Sequence, residues 1–273
     1  MKKLLTALLV VGLMGMTGPV FAQDFEKGWK EQQAGNYLKA FKEYRALAER
    51  GHAAAQSNLG LMFAEGQGVS QDFKQAVSWY RKAAEQGVLE AQTSLGGMYK
   101  DGKGVVQNDK EAVIWFRKAA EQGHARAQLN LGVMYTEGRG VIQDYKEAVI
   151  WYRKAAEQGY GFAQVFLGAA YYNGQGVEQS DKEAAIWNRK AAEQGLDGAQ
   201  LILGLSYANG LGVIQDNLYA HMWFNIAASI GGEIAVKDAS KNRDEIAKKM
   251  TSAEIAKAQE LARECVKKQY KGC

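Results

Sequence analysis

From His124 to Gly159 the apolar positions change rhythm once. Ala127, Leu131 and Tyr135 come first, four residues apart, on one face of a helix. Ala148, Trp151, Tyr152, Ala155 and Ala156 follow at three- and four-residue steps, the stripe of a second helix. Gly138-Arg139-Gly140-Val141 lies between them, where glycine stops the first helix and supplies turn conformations that other residues resist. Asp144, followed three positions later by Glu147, predicts a capping box at the start of the second helix; Asp72 with Gln75, Asn108 with Glu111 and Ser180 with Glu183 repeat it. The unit is a helix–turn–helix hairpin closed by Gly159.

This hairpin is copied along the chain. Its closing glycine recurs at Gly51, Gly87, Gly123, Gly159, Gly195 and Gly231, a constant step of 36 residues. Leu59, Leu95, Leu131, Leu167 and Leu203 share one position, and Trp79, Trp115, Trp151, Trp187 and Trp223 share another. A lone hairpin cannot bury these side chains, each worth roughly 1.5–3 kcal/mol when removed from water, so the hairpins must stack. Glycines at 60, 96, 132, 168 and 204 lie inside the first helices, where each costs about 1 kcal/mol relative to alanine. That penalty predicts another helix backbone too close to admit a side chain. Gln56, Gln92, Gln128, Gln164 and Gln200 form a ladder expected to bond neighbouring backbone.

The repeated Ala127-Gln128, Leu131-Gly132, Tyr135, Gly138, Gly140-Val141, Ala148, Trp151-Tyr152 and Ala155-Ala156 resemble the Sel-one-like repeat, a relative of the tetratricopeptide repeat. The resemblance implies an all-α, right-handed α-solenoid acting as a scaffold for protein interaction, with the first helices lining its concave side. Some cysteine-rich bacterial members are linked to penicillin binding and carry a cysteine pair in each repeat; no repeat here contains cysteine.

The ends depart from the repeat. Residues 1–22 read as a secretory signal peptide: Lys2 and Lys3, an apolar stretch from Leu4 to Met16 too short for a spanning helix, a break at Gly18-Pro19, and a cut after Ala22. Residues 23–50 predict an N-terminal capping hairpin of tetratricopeptide type, with Phe25 and Trp29 covering the first full repeat. Five repeats fill 51–231, and 232–273 form a C-terminal helical cap whose second helix starts at Thr251-Ser252-Ala253-Glu254. Cys265 and Cys273 are a disulfide candidate, within one chain or between two.

Formal charge is +4, of which Lys2 and Lys3 carry two, and the opposite signs are interspersed; no basic stripe points to nucleic acid. Beyond the leader no segment approaches membrane-spanning length, so the expected compartment is the periplasm or the exterior. The GxGV turns follow helices and lack the third glycine of a phosphate loop, so they read as helix stops. His52 and His124 hold one repeat position two units apart, and no Ser/His/Asp group or acidic pair recurs. No catalytic residue, metal or cofactor is expected.

Positions turned away from Ala127, Leu131 and Tyr135 shift from polar in the early repeats (Ser57, Asn58, Thr93, Lys100) to apolar in the later ones. Leu129, Val133, Val165, Phe166, Ala169 and Tyr172 are the candidate surface for a protein or peptide partner. In the fifth repeat, Leu201, Leu205 and Ala208 either extend that surface or lie under the chain's own C-terminal segment. The rival reading is a cell-envelope hydrolase acting on β-lactams or peptidoglycan fragments. A passive spacer is a third.

Overall fold

The computed structural model describes residues 19–230 and 232–273 and contains no strand among them. The signal-peptide reading of 1–22 and the closing Gly231 therefore lie wholly or largely outside the described residues. In chain order the helices are α1 (Pro19–Gln33), α2 (Tyr37–Glu49), α3 (Ala53–Glu65), α4 (Phe73–Glu85), α5 (Leu89–Asp101), α6 (Asp109–Glu121) and α7 (Ala125–Glu137), then α8 (Tyr145–Glu157), α9 (Gly161–Asn173), α10 (Asp181–Ala192), α11 (Asp197–Asn209), α12 (Asn217–Ile230), α13 (Glu233–Ala247) and α14 (Ser252–Lys267). Sequential helices pair into hairpins, giving an all-α repeat solenoid. The chain forms two compact units. One runs to Met98 and includes Gly102–Val106; the other holds Tyr99–Asp101 and Gln107–Cys273.

The sequence ladder becomes a core ladder. Leu59, Leu95, Leu131, Leu167 and Leu203 are all fully buried. In the second unit Trp115, Trp151 and Trp187 are buried with a lysine ammonium 4.1 Å above each ring, from Lys118, Lys154 and Lys190. The guanidinium groups of Arg117, Arg153 and Arg189 donate to the hydroxyls of Tyr135, Tyr171 and Tyr207, each at 2.7 Å, tying a second helix to the next first helix.

The predicted caps form by half. Asp144 accepts from the amides of Lys146 and Glu147, and Asp72, Asn108 and Ser180 accept likewise from the third helical residue. The glutamate does not reach back, because the capping residue's own N–H is already used. Asp72 donates to Phe63 O, Asn108 to Tyr99 O, Asp144 to Tyr135 O and Ser180 to Tyr171 O. Helix α14 closes a full box, where Thr251 N donates to Glu254 Oε2 at 2.7 Å.

Three of the mid-helix glycines, Gly60, Gly132 and Gly204, lie under rings, Gly168 lies under the Asn188 amide, and at Gly132 the Ala148 carbonyl of the neighbouring helix is also close, 3.1 Å from an added methyl. A methyl at Gly60 would lie 2.7 Å from the Tyr80 ring, at Gly132 2.5 Å from Tyr152, and at Gly204 2.6 Å from Phe224. Closer backbone approach occurs at the second glycine of each turn. A methyl at Gly140 would stand 2.3 Å from Asp109 O, and one at Gly104 2.2 Å from Phe73 O. That glycine lets each turn sit on the start of the preceding repeat's second helix. Arg139 clamps the same junction, donating to both Asp109 carboxylate oxygens at 2.8 and 3.1 Å and to Lys100 O.

At the N-terminal end Phe25 stacks on His52 and touches Tyr44, and Trp29 is 45 % exposed. At the C-terminal end α13 and α14 pack on α12. Ile246 and Met250 join Ala220, Phe224, Leu201, Leu205 and Ala208 in one apolar cluster, so these residues of the fifth repeat are covered by its own chain, while Ile202 on the same face stays exposed. Ala262 and Cys265 of α14 pack with Met222, Trp223 and Ile226. Ile226 stands where Lys118, Lys154 and Lys190 reach water in earlier repeats, and a covered position favours the apolar residue. Cys265 and Cys273 form a disulfide within the chain. The turn it closes places the Tyr270 ring 3.0 Å from where a methyl at Gly195 would be.

Candidate partner-binding face

In the second unit the first helices α7, α9 and α11 differ sharply in what they leave exposed. Helix α9, GFAQVFLGAAYYN, contains no charged residue. Phe162, Phe166, Ala169 and Tyr172 are exposed along it, at steps of four, three and three residues. Phe166 is 39 % exposed, with its ring centroid 5.3 Å from that of Tyr152; Tyr172 is 49 % exposed. Phe162 was not among the residues expected from the sequence, although its four-residue spacing from Phe166 was readable there.

The other three candidates sit deeper. Leu129 is only 8 % exposed and belongs to the core cluster of Ala163 and Leu167, so it cannot serve as a docking side chain. Val133 packs on that cluster, and Val165 packs on the one formed by Ala199 and Leu203. The physical reason is shared. A first helix in this stack has apolar neighbours on two sides, its own second helix and the following repeat. The position held by Leu129, Val165 and Leu201 is the side toward the following repeat. Pointing away from one's hairpin partner is therefore not the same as pointing into water.

The Gln ladder also proves structural. Gln56, Gln128, Gln164 and Gln200 donate to Ala48, Ala120, Ala156 and Ala192 carbonyls at 3.1, 3.1, 3.2 and 3.3 Å. Gln86, Gln158 and Gln194 then donate to the side-chain oxygens of Gln56, Gln128 and Gln164.

Groups with titration behaviour worth noting are few. Burial pushes the Tyr152 phenol up to about 12, against its hydrogen bond to Thr136, and burial likewise pushes Tyr44 to about 12. His221 is 2 % exposed, its Nδ1 has no partner, and burial followed by the nearby Arg243 charge lowers its pKa. An open hollow of about 500 Å³ lies at the α9–α10 turn, lined by Tyr171, Val177, Glu178, Gln179, Ser180 and Glu183. Ser180 is occupied there as the helix cap, and no histidine lines the hollow. Among the described residues no group of three His, Cys, Asp or Glu side chains is placed to hold a metal ion. Nor is any helix among them long and apolar enough to cross a membrane.

The Sel1 repeat family model matches residues 53–88, 89–124, 125–160, 161–196 and 198–232. Among solved structures, a Sel1 repeat protein from Oxalobacter formigenes is 37 % identical with a TM-score of 0.73, covering 80 % of this chain and 86 % of that one. A putative Sel1 repeat protein from Klebsiella pneumoniae is 21 % identical with a TM-score of 0.51, covering 74 % of this chain and 98 % of that one. The immunity protein Pa5087 from Pseudomonas aeruginosa is 22 % identical with a TM-score of 0.50, covering 85 % and 84 %. A comparison with curated proteins found no match.

Proposed function

This chain belongs to the Sel1 repeat family, and we propose that it is an exported scaffold that binds a protein or peptide partner on the first-helix face of its fourth repeat. Sel1 repeat proteins are helical scaffolds that typically mediate protein–protein interaction, which sets the general class. The observation that supports this particular face is α9: a charge-free helix that leaves two phenylalanines and a tyrosine exposed. Aromatic side chains in the open, grouped on one helix, are the composition of an interaction surface. Phe166, Ala169 and Tyr172 are the contact residues, with Phe162 added. Val133 and Val165 are half-buried against the neighbouring core clusters, and Leu129 lies within one of them.

Export is supported by the leader-like residues 1–22 and by the Cys265–Cys273 disulfide, a bond that persists in oxidising compartments. The periplasm or the exterior is the working compartment in this reading.

The test is capture of partners from an envelope extract by the purified protein, beside its Phe166→Asp and Tyr172→Asp variants. Specific capture lost in both variants is the expected result. Equal capture by all three proteins would reject this face. Turnover of a chromogenic cephalosporin that disappears when Phe166 or Tyr172 is changed would favour the hydrolase reading instead.

A further inference from the structure

The second helices of repeats two to four expose the same three residues. On α8 they follow at steps of four, Lys146, Ile150 and Lys154, and α6 and α10 repeat lysine, isoleucine, lysine at these positions. The isoleucines Ile114, Ile150 and Ile186 are 45, 45 and 39 % exposed. The first repeat has Ser78 at that position, so the hairpin itself does not require an apolar side chain there.

The fifth repeat shows what covers this face. Its α12 has Leu218, Met222 and Ile226 at the three positions. Met222 and Ile226 are buried in one cluster with Ala262 and Cys265 of α14. Helix α14 reaches them with an edge of small residues, Ala258, Ala262 and Cys265, buried at steps of four and three. Where the chain's own helix lies on this face, both lysine positions are apolar. Where the lysines remain, the isoleucine between them is open. Those lysines also lack acidic partners: the ammonium groups of Lys118, Lys154 and Lys190 lie over tryptophan rings, and among the described residues none of the lysines bordering the isoleucines forms an ion pair. Glu157 and its equivalents follow only after this stretch has ended.

We propose that the exposed face of α6, α8 and α10 is a second docking surface, separate from the α9 face, and that it takes a helix of a partner protein whose apolar edge is bordered by carboxylates. The apolar edge covers isoleucine as α14 covers Met222. The bordering carboxylates meet the lysines on either side, which sets the register and selects an acidic partner. The α14 helix of a second copy is not the occupant, because it is already spent on its own α12.

The experiment selects a displayed library of helical peptides on the purified full-length protein. The peptides keep alanine or leucine at the α14 spacing and vary the bordering positions among Asp, Glu, Lys, Arg, Ser and Gln. Asp and Glu are expected to take over those positions. The best binder should weaken about tenfold or more in the triple variant Ile114→Ser, Ile150→Ser, Ile186→Ser, which carries the residue the first repeat already has, and again in Lys110→Glu, Lys146→Glu, Lys182→Glu. Melting curves confirm that both variants are folded. Affinity should fall as salt rises, and Phe166→Asp should leave it unchanged. Enrichment of Lys or Arg, no enrichment, or full affinity in either triple variant would overturn the inference. Binding lost with Phe166→Asp alone would move the peptide to the α9 face and leave this surface without an occupant. Anionic phospholipid vesicles that bind through the same isoleucines and lysines, with no peptide selected, would replace the partner helix by a membrane.

Discussion

The side-chain amide of Gln158 donates to the side-chain oxygen of Gln128 at 2.7 Å, thirty residues back along the chain, and Gln128 in turn donates to Ala120 O. Three hairpin elements are thus held by the buried amide of Gln128 and the exposed amide of Gln158. Gln128→Leu removes both of these bonds, while Ala120 O keeps the Gly123 amide and the Gln158 amide keeps Lys154 O, and it should destabilise the protein by about 1 kcal/mol, read from the urea midpoint. Gln200 is the contrasting case. Ile230 stands where Gln194 stands one repeat earlier, and Gln200 Oε1 is buried without a partner. Gln200→Leu should therefore cost clearly less than Gln128→Leu.

The two glycines of one turn should respond differently to alanine. Gly138 ends α7 at φ +67 with side-chain atoms no nearer than 3.1 Å, so Gly138→Ala pays mainly for the left-handed backbone, about 1 kcal/mol. Gly140 has the same backbone strain at φ +70, and a methyl added there would in addition run into the Asp109 carbonyl oxygen. Gly140→Ala should lose at least about 2 kcal/mol more, because a backbone, unlike a ring, has little room to yield. Chemical denaturation of the two variants side by side measures the gap.

Alkali should destabilise the fold through its buried phenols. Tyr44 and Tyr152 titrate near 12 when folded and near 10 when unfolded. Between those values the unfolded chain holds fewer protons, so stability is complete below pH 10 and falls as pH rises toward 12. Ultraviolet titration should resolve a late-ionising class of tyrosines, and Tyr152→Phe should shrink it.

Acid should act through His221. Its folded pKa lies below the ordinary 6.5, so the stability it contributes is present above that pH and lost as pH falls below it. Val77, Val113 and Val149 occupy the same position in earlier repeats, which makes His221→Val a substitution the fold already accommodates. Thermal melts from neutral to mildly acidic pH should show a smaller decline in the variant. An unchanged decline would remove His221 as its cause.

Reducing the Cys265–Cys273 bond should loosen the C-terminal turn first. The bridge closes a short loop, worth about 2.5 kcal/mol at most by chain entropy, and holds Tyr270 against Gly195. The double variant Cys265→Ser, Cys273→Ser should speed amide exchange in the last residues of α14 while leaving α7 to α10 protected.

The repeat period, the helix pairs, the buried leucine and tryptophan columns and the disulfide pair were legible in the sequence because each is a local rule applied many times. A helix face shows as a three- or four-residue step, and copying it at a fixed interval removes the ambiguity of any single copy. Chemistry at the breaks was legible in principle too. Asn188 interrupts an aromatic column that can be read down the repeats, and Phe162 stands one turn from Phe166.

Tertiary structure alone decided which side of each face met water. By helical geometry Leu129 points away from the core direction of its helix and Phe166 only flanks that direction, yet the first is core and the second is exposed. The difference is the next repeat, whose first helix covers the Leu129 side and leaves the Phe166 side open. The same holds for the glycines: a costly residue announces close packing, but only the fold shows a ring over Gly132 and a carbonyl against Gly140. Sequence periodicity specifies a helix and its stripes. Burial depends on neighbours thirty or more residues away, and no local pattern carries their positions.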